Sequence, residues 1–355
     1  LIVNGNAAFN NNMTIVGGVN NVKGLSIGGT GTLTYGGVVT AYNGRMDLKN
    51  SVTLVMTNGS SISLTGQNGN QILFADPSTT LVLAGGSFAS TGNNGNPSGF
   101  LANLTMNAGT ASMNDVQNPN AGYLSFSGSM ALNGGTLSVQ ALGGTGWVNF
   151  NGGTLQALNS NAAFVPAGMS NNVQAGGVVI DCNGYNPTIG VSLAHDAALG
   201  ATPDGGLRKN GAGSMSLTGV NTFTGPITVS AGTLDLTGAG RIGGGSYAAE
   251  ITNSATLIIG TTAAQTLSGI ISGAGCLIKT NSGVLTLTAV NTYTGPTTNS
   301  VGKLVVHGSL AAASAVIVTN SGILCGTGTV SGTLSVNGGG TVAPGPAVGP
   351  GALSS

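Results

Sequence analysis

Apolar and polar positions alternate in short runs along most of the chain. Met215 and Leu217, Ile227 and Val229, and Leu234 and Leu236 are each two residues apart, and each run closes on Gly, Asn or Pro. A period of two sends successive side chains to opposite faces of a strand. A helix needs apolar residues three and four apart over about ten or more positions. No stretch free of glycine offers that. The same pattern fills the first part of the chain, at Met13–Val16, Gly31–Tyr35, Ser51–Met56, Ser61–Leu64 and Thr80–Leu83. Between these runs stand Gly17-Gly18, Asn43-Gly44, Asn58-Gly59 and Asn68-Gly69. Asn-Gly and Gly-Gly accept positive φ, so the chain can turn sharply there. The pattern predicts many short strands joined by tight turns.

One stretch occurs twice. Leu207–Leu236 reads LRKNGAGSMSLTGVNTFTGPITVSAGTLDL and Leu277–Val306 reads LIKTNSGVLTLTAVNTYTGPTTNSVGKLVV, with a constant offset of 277 − 207 = 70 and no insertion. Self-similarity at fixed spacing marks a repeat architecture, and strand-type periodicity excludes helical solenoids. The run Lys-x-Gly-x-Gly followed by Val-Asn-Thr-Tyr/Phe-Thr-Gly-Pro resembles the autotransporter-associated β-strand repeat of Gram-negative bacterial surface proteins. Thr266–Lys279, Val179–Gly184 and Asp204–Lys209 resemble segments flanking that repeat, and Gly326–Leu353 resembles the end of such arrays. The resemblance covers roughly residues 150–355. It implies a right-handed parallel β-helix, exported to the cell surface.

Spacing then sets the size. Asn133–Leu137 and Asn151–Leu155 both read NGGTL, 151 − 133 = 18 residues apart. Coils of roughly 18–26 residues give about 16 coils in one continuous β-helix over residues 1–355. Three short departures are expected. Ser90–Ser98 is the most polar stretch and reads as a loop. Residues around Ser192–Leu199 suit a short helical or loop insertion. The Pro/Gly-rich segment 337–355 holds Pro344, Pro346 and Pro350, where a parallel ladder must loosen.

Composition narrows function. Charged residues are 5% of 355 residues, with 8 Lys+Arg and 8 Asp+Glu, so the net charge is zero. Apolar residues are 41%, enough to fill a core, which argues against disorder. No apolar run reaches membrane-spanning length. Nucleic acid needs a basic patch, and Arg208-Lys209 is the only adjacent cationic pair. A neutral surface repels itself little and favours association. Cys182, Cys276 and Cys325 lack CxxC spacing and read as buried apolar residues in strands, with a Cys276–Cys325 bridge left open.

Candidate chemistry is sparse. Glu250 and seven aspartates are spread along the chain, without the pairing that glycan cleavage or a calcium cluster requires. No enzyme activity, cofactor or metal is expected. His195 beside Asp196 reads as a surface pair whose side chains point apart, and His307 as a strand-end residue. Gly243-Gly244-Gly245 and Gly326-Thr327-Gly328 read as corners, since no Walker lysine follows. Trp147 is the single tryptophan; alternation puts it outward with Asn149, and Val148 with Phe150 inward. There it can stack on a sugar or a partner, or pack under a loop. Asn221, Phe223, Gly225 and Pro226, matched by Asn291, Tyr293, Gly295 and Pro296, read as structural turn residues of the repeat.

The function expected is a structural subunit of an extracellular bacterial fibre or surface assembly. Its partner would be itself, head to tail, through Leu1, Ile2 and Val3 at one end and Val342, Val348 and Leu353 at the other. Cell-surface or matrix glycans are a further candidate partner; nucleic acid and membrane insertion are not expected. The alternative is an autotransporter passenger or adhesin stalk released from its outer-membrane barrel. A polysaccharide-binding or -cleaving β-helix ranks third. All three place the chain outside a Gram-negative cell.

Overall fold

A computed structural model describes residues 2, 4–10, 13–16, 23–42, 45–65, 73–76, 78–92, 99–115, 123–166 and 168–345. The fold is all-β, a parallel solenoid of about 13 turns. Among the described residues its helical pieces are two 3-10 turns, Ala197–Leu199 and Gly243–Gly245. The first falls inside the insertion expected near residues 192–199. The coil count is slightly below the expected 16, and the longest coils run just past the expected 26 residues. Leu54 faces Leu81, for instance, 81 − 54 = 27 residues later. The shortest spacing recurs where NGGTL predicts it, with Met130 facing Val148 and Leu137 facing Leu155. Packing divides the chain into two compact units, Leu1–Asp181 and Cys182–Ser355.

In the first unit successive coils stack in parallel and like side chains fall into columns. One inward column runs Leu33, Leu54, Leu81, Leu104, Met130 and Val148. A second runs Ile62, Phe88, Ala111, Leu137 and Leu155. All of these side chains are buried. Burial follows the alternation: Thr53–Met56 and Thr136–Val139 each alternate half-buried and buried. A cavity of about 120 Å³ is lined by such inward residues, among them Phe9, Leu33 and Tyr35, so it is core space. Of the polar stretch 90–98, residues 93–98 lie outside the described set.

The second unit repeats the plan. Met215, Leu234, Leu257 and Leu277 form one inward column, and Leu285, Leu304, Leu324 and Val342 another. Leu217, Leu234, Leu236, Leu287, Leu304 and Val306 are fully buried, as the two-residue period requires. Two columns end on residues that nothing described covers. Leu334 follows Val316 and Val336 follows Val318 in register, yet Leu334 is 42% and Val336 47% exposed.

Candidate functional site

The two copies of the duplicated phrase make the same bonds at matching positions. The amide of Leu207 donates to the carbonyl of Pro226 at 2.9 Å, and that of Leu277 to Pro296 at 3.0 Å. Asn221 is buried, and its side chain reaches three places. Its Oδ1 accepts from the amide of Leu193 at 3.0 Å, and its Nδ2 donates to the carbonyls of Gly219 and Arg241, each at 3.0 Å. Asn291 repeats this: Oδ1 accepts from the amide of Ile271, and Nδ2 donates to Ala289 and Ser309. Each asparagine thus ties its own coil to its neighbours through backbone groups.

Phe223 and Tyr293 are fully buried two residues further on. Phe223 meets Tyr247 edge to face with centroids 5.8 Å apart. The Tyr247 hydroxyl donates to the carbonyl of Gly225, and burial raises its pKa. The Tyr293 hydroxyl pairs with Thr297, and burial pushes it up to about 12 despite the hydroxyl bonds around it. Glycine is required at the following turn. A Cβ on Gly225 would lie 2.0 Å from the carbonyl oxygen of Asp204, and one on Gly295 2.3 Å from that of Gly275.

The alternation also buries a residue that composition alone would place outside. Lys209 shares the parity of Leu207, and Lys279 that of Leu277; both lysines are fully buried. Each ammonium is held by three backbone carbonyls. Lys209 Nζ donates to Asn210, Gly211 and Ala231 at 3.2, 2.6 and 2.9 Å. Lys279 Nζ donates to Thr280, to Asn281 at 2.7 Å and to Val301 at 3.1 Å. Burial lowers the pKa of Lys279 to about 8. Gly211 and Asn281 occupy matching positions with φ of 71° and 65°, a conformation that glycine and asparagine tolerate best.

Residues 207–236 and 277–306 both match the passenger-associated-transport-repeat family. The chain carries two passenger-associated-transport repeats. No curated protein and no solved structure matches the chain.

Beside the first repeat lies a polar cluster that sequence spacing does not reveal. His195 pairs with Asp204 through Nδ1 at 2.8 Å, while Asp196 instead caps the 3-10 turn by accepting from the amide of Ala198. The Asp204 carboxylate is buried and also accepts from the amides of Gly206, Thr224 and Gly225. Desolvation pushes its pKa up, but the hydrogen bonds of Thr224, His195, Gly225 and Gly206 outweigh it, and the net shift is downward. The Asp204 hydrogen bond raises the pKa of His195. Thr224 Oγ1 sits 3.3 Å from the same Nδ1 that faces Asp204. A nucleophile would need the opposite ring nitrogen, which faces the carbonyl of Gly200 at 3.1 Å, so this is not a catalytic triad.

Among the described residues no group of three or more His, Cys, Asp or Glu side chains could hold a metal ion. None of the three cysteines is in a disulfide, so Cys276 and Cys325 are not bridged. Trp147 faces outward and is 55% exposed, while Val148 and Phe150 are buried. Of the end residues, Ile2 is exposed and bridges to Gly28, and Val342 pairs with Leu324. Leu1, Val3, Val348 and Leu353 lie outside the described residues. No helix among the described residues is long and apolar enough to cross a membrane.

Proposed function

We propose that the chain is solenoid scaffold of an autotransporter passenger, exported to the outside of a Gram-negative cell. The observation that carries this reading is the pair of passenger-associated-transport repeats, each with the same buried lysine and asparagine bonding. Such a scaffold suits export. Each coil meets only its neighbours, so structure can grow coil by coil as the chain emerges. No cysteine is bridged in the folded chain, so folding outside the cell waits on no oxidant. The role is structural, holding a rigid surface away from the cell, with no catalytic step assigned to it.

Display tests the reading. The chain would be fused ahead of an outer-membrane translocator barrel in a Gram-negative host, then probed with antibody and protease on intact cells. The expected result is surface labelling that external protease removes. A fusion held in the periplasm while a control passenger is displayed would overturn the reading.

One observation favours a second reading, a fibre subunit that stacks head to tail. Leu334 and Val336 stand in inward apolar columns yet are exposed. A further coil, from this chain or from a second copy, would cover them. Sedimentation of the purified protein distinguishes the two: concentration-dependent growth that Leu334→Asp abolishes supports stacking, and a monomer at all concentrations refutes it.

A further inference from the structure

We propose that Trp147 anchors a binding site for a neutral glycan on the outer sheet face of the first unit. Trp147 stands in a column of stacked side chains. In register, its outward positions are Thr32, Thr53, Thr80 and Asn103, then Ser129, Trp147 and Ser170. Small hydroxyl and amide side chains fill every place but one. Neighbouring strands lie about 4.8 Å apart, so serines on both sides leave the broad indole standing above its surroundings. Ser129 and Ser170 are exposed. No aromatic or long aliphatic side chain in the column packs against the ring. Core packing therefore does not explain a tryptophan here, and its 55% exposure leaves most of its apolar surface to water.

The groups beside the ring fix the ligand class. Two residues along the same strand, on the same face, stands Asn149, and Asn172 is its partner on the next coil. Asn172 Nδ2 donates to Asn149 Oδ1 at 2.9 Å, which orients both amides in a row. That leaves an Asn149 donor and an Asn172 acceptor at the two ends of the row, on the face that carries the indole. An aromatic platform with a fixed amide pair and two exposed serines, Ser170 and the Asn103-bonded Ser129, matches a pyranose: the ring takes the C–H face and the amides take the hydroxyls. None of Asn103, Ser129, Asn149, Ser170 and Asn172 carries charge, so nothing recruits an acidic sugar. A protein hot spot would pair the tryptophan with an apolar surround or an arginine, and this face has neither.

The proposal stands apart from the passenger reading; a fusion held in the periplasm would leave it intact. Trp147 is the only tryptophan of the chain, so indole emission reports this site alone. The purified chain would be titrated with hexasaccharides of β-1,4-glucose, α-1,4-glucose and β-1,4-N-acetylglucosamine, and with a sulfated heparin hexasaccharide. At least one neutral probe should give a saturable change in emission. Retention on the matching insoluble polysaccharide should vanish in Trp147→Ala and weaken about tenfold in Asn149→Ala, one hydrogen-bonded contact's worth. Trp147→Phe should retain part of the binding. Circular dichroism should be unchanged, since an exposed side chain carries little of the fold. Silence with all three neutral probes, binding of the sulfated probe alone, or full retention of Trp147→Ala would each overturn the proposal.

Discussion

Replacing Lys279 with methionine isolates the most unusual feature of the repeats. The substitution keeps length and apolar stem and removes the ammonium, which is fully buried on three carbonyls. Without the ammonium those three carbonyls lose their donor inside the core, at about 1–3 kcal/mol each, or about 3–9 kcal/mol in all. Against this, methionine escapes the burial that holds the lysine at about 8 instead of 10.5, about 3 kcal/mol. The mid-range net loss for Lys279→Met is about 3 kcal/mol, or about 6–12 °C in Tm for a unit of this size. Urea unfolding at pH 7 measures it. Arg208→Met, on an exposed residue, is the control and should change stability by less than about 0.5 kcal/mol. Lys209→Met should cost about as much as Lys279→Met, and the two should add, because their carbonyl partners are entirely different. The pH dependence has a definite sign. The folded pKa lies below the unfolded one, so between about 8 and 10.5 the unfolded chain binds more protons. Wild type should therefore gain stability across that window, and Lys279→Met should lose that gain. A neutral or stabilising Lys279→Met would refute the three-carbonyl account.

Other expectations follow from the same geometry. Leu217→Asp puts a charge at a fully buried inward position and should cost more than about 4 kcal/mol; a small shift in urea midpoint would mean the register is wrong. Gly225→Ala drives a Cβ to 2.0 Å from the Asp204 carbonyl oxygen and should lower Tm, whereas Gly190→Ala meets nothing nearer than 3.4 Å and should be tolerated. His195 has a raised pKa, so its contribution is present below its unfolded value near 6.5 and fades as pH rises through the folded value. Asp204 has a lowered pKa, so its contribution is present above about 3.9 and fades as pH falls through the folded value. Hydrogen exchange between Asp196 and Asp204 should thus be slowest, after correction for intrinsic rates, between about pH 4 and 6.5. A profile that is flat, or slowest above pH 7, would refute the pairing.

Much of the fold was legible because a strand's period is two and a repeat has fixed spacing. Leu217, Leu234 and Leu236 point inward where alternation puts them, and the 18-residue NGGTL interval is one coil. The outward position of Trp147 follows from the same parity. Parity also held the signal for the buried lysines, since Lys209 lies two residues from Leu207 and Lys279 two from Leu277. Charge argues for exposure; the turn after each lysine supplies two of the carbonyls that reverse it, and the next coil supplies the third. Coil length was less legible, since long coils such as Leu54 to Leu81 carry no repeated phrase. His195 and Asp204 could not be paired from sequence. Nine residues separate them, and the 3-10 turn at Ala197–Leu199 that brings the chain back has no strong local signal. Adjacent Asp196 was the visible partner, and it serves the turn instead.

The account's central claim is that this solenoid works outside the cell. Immunogold electron microscopy of intact cells producing the complete native gene product, with antibody raised against residues 182–345, tests it most directly. The account predicts gold beyond the outer membrane, removed by external protease without lysis. Gold confined to the cytoplasm, and resistant to protease until the cells are broken, would contradict it.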